Sequence, residues 1–445
     1  MHRAILDEYF RMKGLRRPNQ ANRGNSVQSS ISKGVDQSLA GAPVQSVTEK
    51  PVSSVALLGV DYPGLRPAMS VAEGDRVHVG QVLFTDRMHP RIAFVAPLSG
   101  RIASIDFRRR RRLSALVIRR DPDEPVKVLA DAPIDVTSAT ALRDALLSRG
   151  LWPAFRTRPF GHIPVPDAVP RAIFVTATDS EPLAPDPRVV LASRNKKFRL
   201  GTDLLTLLTD GPVYVCQPPG PPLADETGRI RIARFDGPHP AGLAGTHIHV
   251  LHPVSPGGEI WTIDCQDVAA IGHLAETGNF DPARIIALAG PRAAHPRLIR
   301  TISGASIRDL TLGEEVDGQS VRFISGSRLS GRDSAWLGRN HRQVTMIDAP
   351  AAHPRRRWSP AFWGRVRSVP RPIIPTSALE RTLPAGFLPV PLVRALSVGD
   401  VEAAARLGAL ELIEEDMALL SALCTSGADY GALLRQTLDT LAEAA

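Results

Sequence analysis

A chain of 445 residues, 43 % hydrophobic and 22 % charged, has an ordinary globular composition and the length of roughly two to four domains. No apolar run approaches the roughly 18 residues of a membrane span. The three cysteines, Cys216, Cys265 and Cys424, lie too far apart in sequence for a disulfide framework or a C-x-x-C cluster, which also excludes an iron–sulfur centre built by this chain alone. The formal charge of +9 comes mostly from arginine, with dense runs at Arg108 to Arg112 and Arg355 to Arg357. Aromatic residues are 5 % of the chain and no helix-turn-helix, zinc-finger or RNP-like pattern accompanies the runs, so nucleic acid is not the expected partner. The runs read instead as solvated turns or as contacts with anionic lipid or protein.

Residues 1–30 carry Arg3, Arg11, Lys13, Arg16, Arg17 and Arg23 without the apolar core of a signal peptide. They read as a disordered extension, or as a start placed too early. Residues 31–129 read as β: VALLGV, RVHVGQVLF, IAFVAP, GRIASIDF and LSALVIRR are short strands punctuated by Gly, Pro and Asp turns. The pattern VAEGDRVHVGQVLF…FVAPLSGRIASI resembles a barrel-sandwich hybrid of the biotinyl/lipoyl type. The hairpin where a carrier lysine would sit reads TDRMHPR, and no lysine occurs between Lys50 and Lys127. The fold is expected without the carrier chemistry.

Residues 130–295 alternate helix and strand, which predicts an α/β layer on a parallel sheet. TSATALRDALLSRG is a helix opened by Thr137 or Ser138 and closed by Gly150. RAIFVTATD and PVYVCQP are strands, and FRLGTDLLTLLTDG is a helix. DVAAIGHLAETG is a helix with Asp267 as its expected cap and Gly278 as its stop. ARIIALAGP is expected as the last strand of that layer. Between the first helix and strand, Gly150 to Pro166 sets Trp152, Phe155 and Phe160 among Arg156 and Arg158, a mixture suited to an anionic or planar partner or to a loop packed on its own domain. Further on, Phe235 to Asn279 is dense in glycine and proline and holds His239, His247, His249 and His252. H-x-H on a strand would point His247 and His249 to one face. No carboxylate or cysteine stands at ligand spacing beside them and H-E-x-x-H is absent, so metal is not expected.

Residues 296–350 (IRTISGASIRDL, SVRFISGSRLSG, RQVTMID) read as a small β-grasp unit. Residues 351–375 read as a Pro/Arg-rich linker, and 376–445 as helical, with Ile413, Met417 and Leu420 on one face and Tyr430, Leu434, Leu438 and Leu441 on another. A nucleotide site needs glycines at a strand-to-helix turn; GxGxxG and P-loop spacings are absent, as is a G-x-S-x-G elbow.

The order of these units is similar to that of a group that includes the flavin-bearing NADH-binding subunit of respiratory complex I, the C-subunit of the Rnf complex and the A-subunit of the Na+-translocating NADH:quinone oxidoreductases. Segments such as VALLGVDYPGLRPAMSVAEGDRVHVGQVLF, GLWPAFRTRPFGHIPVPD, FDGPHPAGLAGTHIHVLHPVS, QDVAAIGHLAETG and VGDVEAAARLGALELIEEDMALL resemble the last of these families, in order, from Ser32 to about Arg435. The resemblance implies an α+β multidomain chain: barrel-sandwich hybrid, Rossmann-like α/β layer, β-grasp of the soluble-ligand-binding type, and C-terminal helical domain. Flavin-bearing relatives cradle flavin and NADH on a Gly-rich loop of the GGAGFP kind. Here the corresponding place reads WPAFRTRPF, with no glycine between Gly150 and Gly161, which argues against either ligand. The segment from Ala351 to Pro375 is shorter than in the family, and the first 30 residues are extra.

The resemblance further implies a peripheral subunit on the cytoplasmic face of the bacterial inner membrane, with no flavin or Fe-S centre of its own. FMN, FAD, riboflavin and Fe-S would sit in partner subunits among B to F, the chief contact being the membrane-embedded B-subunit. Ubiquinone would be the substrate, its reduction coupled to Na+ export. Quinone needs an apolar trough and a donor for each carbonyl oxygen. The residues expected at the quinone or at a contact with partner subunits are Tyr62, Gly64 and Arg66 on one loop, Trp152, Phe155, Arg156 and Arg158 on a second, and His247 and His249 on a third. The alternatives are a non-catalytic assembly scaffold and a flavin-dependent NADH dehydrogenase.

Overall fold

Alternation of apolar and polar residues builds the first unit. In the computed structural model, which describes residues 27–108, 112–121, 134, 136–254, 258–316, 320–349 and 372–444, the strands Ser54–Leu58, Arg76–Val77, Gly100–Arg108 and Arg112–Arg119 form one antiparallel sheet. Pro67–Met69, Val82–Asp86 and Ala93–Val95 form another. Their inward residues, among them Val55, Leu83, Phe84, Phe94, Ile102 and Ile118, share one core, with Phe84 stacked on Phe94 at 4.6 Å. Residues 1–26 and most of the linker expected at 351–375 (residues 351–371) lie outside the described residues. Val27–Ser30, expected within the disordered extension, is instead an ordered edge strand: it pairs in parallel with Ile230–Asp236.

The second unit is a parallel sheet in the order Val27–Ser30, Ile230–Asp236, Val213–Gln217, Ala172–Thr176, Ile260–Asp264, with Arg156–Arg158 added antiparallel at the edge. The chain runs outward from Ala172–Thr176 to one side, then returns to place Ile260–Asp264 on the other. That reversal opens a crevice beyond the carboxyl ends of these two strands. The helix Ala139–Ser148 is capped by Ser138, whose hydroxyl accepts from Ala141 N–H. Cys265–Thr277 ends at Gly278 in the left-handed region (φ 74°), as expected. Its cap, however, is Asp264, which accepts from Gln266 N–H, so Asp267 is freed for another role. This helix crosses Asn195–Leu205 at two glycines. A Cβ on Gly201 would lie 2.0 Å from Val268 O, and one on Gly272 would lie 1.9 Å from Lys197 O.

Ala283–Ala289 was expected to finish the parallel sheet and does not. It pairs antiparallel with Arg297–Ile302 and parallel with Gln343–Asp348 in a second sheet, ordered Arg332–Asp333, Val321–Ser325, Gln343–Asp348, Ala283–Ala289, Arg297–Ile302, Val44–Glu49. The reason is the short connection that follows it: a few residues can turn a strand back antiparallel, whereas a parallel neighbour needs a crossover. Where the edge of Ala283–Ala289 has no strand beside it, the Gln266 side chain takes that place. Its Oε1 accepts from Ile285 N–H at 2.8 Å and its Nε2 donates to Ile285 O at 3.0 Å. The short helix Ile307–Thr311 packs on this sheet's core through Ile307 and Leu310.

The C-terminal helices Pro389–Val398, Val401–Arg406, Ala418–Leu423 and Tyr430–Ala444 enclose a core of their own. Ile413, Met417, Leu420, Tyr430, Leu434, Leu438 and Leu441 are all buried in it, as their spacing predicts.

Candidate functional site

The crevice at the carboxyl ends of Ala172–Thr176 and Ile260–Asp264 widens into a cleft of about 760 Å³, walled by the second sheet's loops and by the C-terminal helices. Its floor is ionic. Asp264, at the end of its strand, accepts from Arg342 Nε at 2.6 Å, and Arg342 also donates to Thr178 O at 2.8 Å and faces Asp179 at 3.4 Å. Asp267, one helical turn on, holds Arg284 and, at 2.7 Å, Arg339. Asp61, from the first unit, holds Arg332 and accepts from Arg339 N–H at 2.9 Å. Four aspartates and four arginines from three units thus interlock. Burial works against the charge of Arg342, but Asp264 and Asp179 outweigh it and raise its pKa. Burial likewise opposes the charge of Asp267, and Arg284 and Arg339 reverse the outcome, so its pKa is lowered.

Beside this floor, Glu181 is held up at about 7, first by burial and second by Asp179, while the Ser330 and Ser327 hydroxyls pull the other way. A carboxyl whose folded pKa exceeds its unfolded value of about 4.3 binds its proton more tightly when folded. Its contribution to stability therefore falls as pH rises through that window and stays low above it. Glu181→Gln is expected to raise stability by about 2 kcal/mol at pH 8 and by little at pH 5. Urea midpoints of both proteins at the two pH values check this; a difference that does not change with pH contradicts it.

His341 lies on the same wall. Gly338 N–H donates to Ser325 Oγ at 2.8 Å, and that hydroxyl lies 2.7 Å from His341 Nδ1. Burial first, then Arg332, lowers the His341 pKa to about 4, so the ring is neutral at pH 7.

The residues expected from sequence scatter. Gly64 (φ 81°) and Arg66 are exposed, and Arg156 is half-buried on the cleft wall. Tyr62 turns inward against Phe94 at 4.9 Å, and burial pushes its hydroxyl up to about 12. Trp152 and Phe155 do not flank a trough. They are fully buried with Trp261, at ring separations of 5.3–5.6 Å, and Trp152 Nε1 donates to Pro164 O at 2.8 Å. The edge strand that follows them, paired Arg156 to Thr262, clamps this segment onto the core of the sheet.

His247 and His249 sit on a helix, Ala244–Leu251, and not on a strand. Two residues span about 200° of helix, so the rings diverge. His247 is fully buried, donates from Nε2 to Ala241 O at 2.9 Å and lies 4.2 Å from the Phe235 ring; burial lowers its pKa to about 3. His249 reaches the C-terminal helices instead, with Nδ1 2.7 Å from Glu411 Oε2 and Nε2 2.9 Å from Ala385 O.

Arg158 is fully buried, and among the described residues none of its three guanidinium nitrogens has a hydrogen-bond partner. Glu415 and Asp416 stand 3.7 Å away on the C-terminal unit. Asp416 also accepts from Ile413 N–H at 2.8 Å and presses on Gly245, where a Cβ would meet its Oδ1 at 2.2 Å. Arg435 crosses the same boundary to Phe160 O at 2.6 Å while gripping Glu414. Arg158 and His249 are therefore joints between units, and Phe160 packs on the C-terminal core beside them.

Sequence reasoning misses the ionic floor. Asp267 reads from sequence as a helix-end residue, and nothing in the spacing connects it or Asp264 with the arginines of GRNHRQ, Arg339 and Arg342. The available signal is position: acids just after a parallel strand face whatever loop closes the switch point. Among the described residues, no group of three or more His, Cys, Asp or Glu side chains could hold a metal ion. No helix among them is long and apolar enough to cross a membrane.

Residues 29–121 match the family model described as the NqrA N-terminal barrel-sandwich hybrid domain, 137–280 the NqrA second alpha/beta domain, and 285–335 the NQRA C-terminal domain. The A-subunit of the Na(+)-translocating NADH-quinone reductase of Saccharophagus degradans is 40 % identical over 438 residues, which span 92 % of this chain and 98 % of that protein. The proteins of the same name from Yersinia pseudotuberculosis and Pseudomonas aeruginosa are 41 % and 42 % identical, with the same coverage.

Proposed function

The chain belongs to the A-subunit family of the Na+-translocating NADH-quinone reductases, and from that premise we propose that it is the peripheral subunit that shapes the quinone end of such a complex. Electrons pass from NADH through FMN, FAD, riboflavin and Fe-S groups of partner subunits to ubiquinone, and Na+ is exported. This chain docks on the cytoplasmic side, chiefly against the membrane-embedded B-subunit. The observation that carries the reading is identity near 40 % along nearly the whole length of both chains. The finer division belongs to the same reading: a Rossmann-like layer, a β-grasp unit that takes in Ala283–Ala289, and a helical terminus.

Within the cleft, Arg156 and a ring N–H of His341 are the donors for a quinone carbonyl, while the exposed Gly64 and Arg66 serve contact with partner subunits. A flavin phosphate does not fit the segment 152–158, because Trp152, Phe155 and Arg158 fill with side chains the space where backbone would have to approach it. The ionic floor favours a second reading, a scaffold that never touches quinone, since carboxylate–guanidinium pairs suit an isoprenoid tail poorly.

One experiment tests the first reading and a variant pair divides the two. Mild-detergent purification through a tag on this chain is expected to bring down membrane and flavin subunits with Na+-stimulated NADH:quinone activity; a solitary protein without activity refutes it. In the intact complex, Arg156→Ala is expected to raise the KM for quinone about tenfold, equivalent to one charge-assisted hydrogen bond. Arg158→Ala is expected to lower the yield of complex without changing KM. An unchanged KM in Arg156→Ala leaves the scaffold reading.

A further inference from the structure

Most acids that line the cleft are tied to arginine: Asp61 to Arg332, Asp264 to Arg342, Asp267 to Arg284 and Glu414 to Arg435. Glu181, on the same lining, has no cation partner among the described residues. It stands between groups from three directions. Asp179 lies two residues back, Glu415 comes from the C-terminal unit, and the Ser327 and Ser330 hydroxyls come from a loop of the second sheet. Asp179 in turn faces Arg342 at 3.4 Å. Ser327 Oγ already accepts from Leu329 N–H at 3.0 Å and from Ser330 N–H at 3.1 Å, which leaves its own hydrogen to donate to the Glu181 carboxyl. The backbone on either side of Glu181 is pinned. Gly242 N–H donates to Ser180 Oγ at 2.7 Å, and Gln343 Nε2 donates to Pro182 O at 2.9 Å. The acid is therefore held in place on the cleft wall. The C-terminal helices line the same cleft with Ala418, Ala422 and Ala432, small side chains that leave room for a planar ring.

We propose that Glu181 is the proton donor to a quinone oxygen reduced in this cleft, a role that rests on the quinone reading given above. Reduction of a quinone to its quinol takes two electrons and two protons. The electrons come from NADH through the partner subunits. As they reach the ring, the O–H bond of the Glu181 acid breaks and an O–H bond forms on the ring oxygen. The carboxylate left behind takes a proton from water at the rim, where Arg328 is exposed, and the second ring oxygen takes its proton from water. The other donors in the cleft cannot do this work. Arg156 holds a carbonyl but keeps its proton at any working pH. His341, its pKa lowered to about 4, is neutral at pH 7 and has no acidic proton to give. Glu181, kept protonated to about pH 7 by burial and by Asp179, has the acidity that proton transfer near neutrality asks for. Asp179 is then a positioning residue, holding the proton on its neighbour while Arg342 balances its own charge.

The test uses the intact complex with a short-chain ubiquinone as acceptor. Glu181→Gln is expected to lower kcat about a hundredfold with KM unchanged. Wild-type kcat/KM is expected to fall as pH rises through about 7, and the variant to lack that fall. Glu181→Asp, which keeps the acid on a shorter arm, is expected to recover part of the rate. Ferricyanide takes electrons without protons, so both variants are expected to reduce it at the wild-type rate. Glu181→Gln with wild-type quinone turnover and an unaltered pH profile overturns the proposal. An equal loss of quinone and ferricyanide reduction also overturns it, since the cost then lies in assembly or electron delivery. The KM of Arg156→Ala separates the two kinds of failure. A raised KM beside an unaffected Glu181→Gln removes the proton donor alone, whereas an unchanged KM removes the quinone from the cleft and the donor with it.

Discussion

Gly272→Ala will destabilise the chain by about 3 kcal/mol or more, although alanine is the better helix former by about 1 kcal/mol. The added Cβ would lie 1.9 Å from Lys197 O, 2.7 Å from Lys197 C and 3.1 Å from Gly201 N, all of them backbone atoms that no rotamer change can move. The helices must separate, and Phe198, Val268 and Ile271, buried about the crossing, lose contacts as they do. Gly201→Ala meets Val268 O at 2.0 Å and acts in the same way. The control is Gly431→Ala, also within a helix, where the nearest atom is Glu414 O at 3.2 Å and the loss is expected to stay within about 1 kcal/mol. Melting temperatures will separate the two classes by about 2–4 °C; equal melting of Gly272→Ala and Gly431→Ala would show that the crossing yields.

Asp267→Ala is expected to cost about 3–5 kcal/mol, because it strands two buried guanidinium groups, Arg284 and Arg339, that the carboxylate now satisfies. The pH dependence has a definite sign. The Asp267 pKa is depressed in the folded chain, so the unfolded chain binds the proton more readily. The stabilisation is fully present above about pH 4 and is lost as pH falls through the folded pKa. Urea titrations from pH 7 downward should therefore find the gap between wild type and Asp267→Ala widest near neutrality and shrinking in acid. The further change Arg339→Met should restore part of the lost stability. A gap that grows on acidification, or a double variant no better than the single, would place the cost elsewhere.

Local features of the fold were legible in the sequence because their causes are local. Ser138 opens its helix and Gly278 closes one, and the alternation in GRIASIDF and LSALVIRR sets the inward residues of a hairpin. The face shared by Tyr430, Leu434, Leu438 and Leu441 is a matter of spacing alone. What escaped was decided by partners far along the chain. ARIIALAGP reads as a buried strand wherever it pairs; that it joins the second sheet depends on where Arg297–Ile302 and Gln343–Asp348 lie. THIHV carries strand-favouring residues, yet it folds as the helix Ala244–Leu251, placed so that Asp416 of the last unit meets its first turn. For the candidate site, sequence names segments and leaves the orientations of their side chains open. Arg156 faces the cleft while Trp152 and Phe155 face inward, a distinction fixed by the edge strand pairing Arg156 with Thr262. The ionic floor needed three units to meet, and no single window of sequence contains it.

Asp61 comes from the first unit, Asp264 and Asp267 from the second, and Arg332, Arg339 and Arg342 from the third, Arg332 on its edge strand and the other two on the loop before Gln343–Asp348. In mechanical terms these charges act as rivets: the third unit is pinned to the first through Asp61 and to the second through Asp264 and Asp267, so pulling the third unit away loads both seams at once. The C-terminal helices, with a core of their own and a joint of Arg158, His249 and Arg435, are a hinged plate on that frame. A pull or a protease should part the plate from the frame before the frame itself gives way.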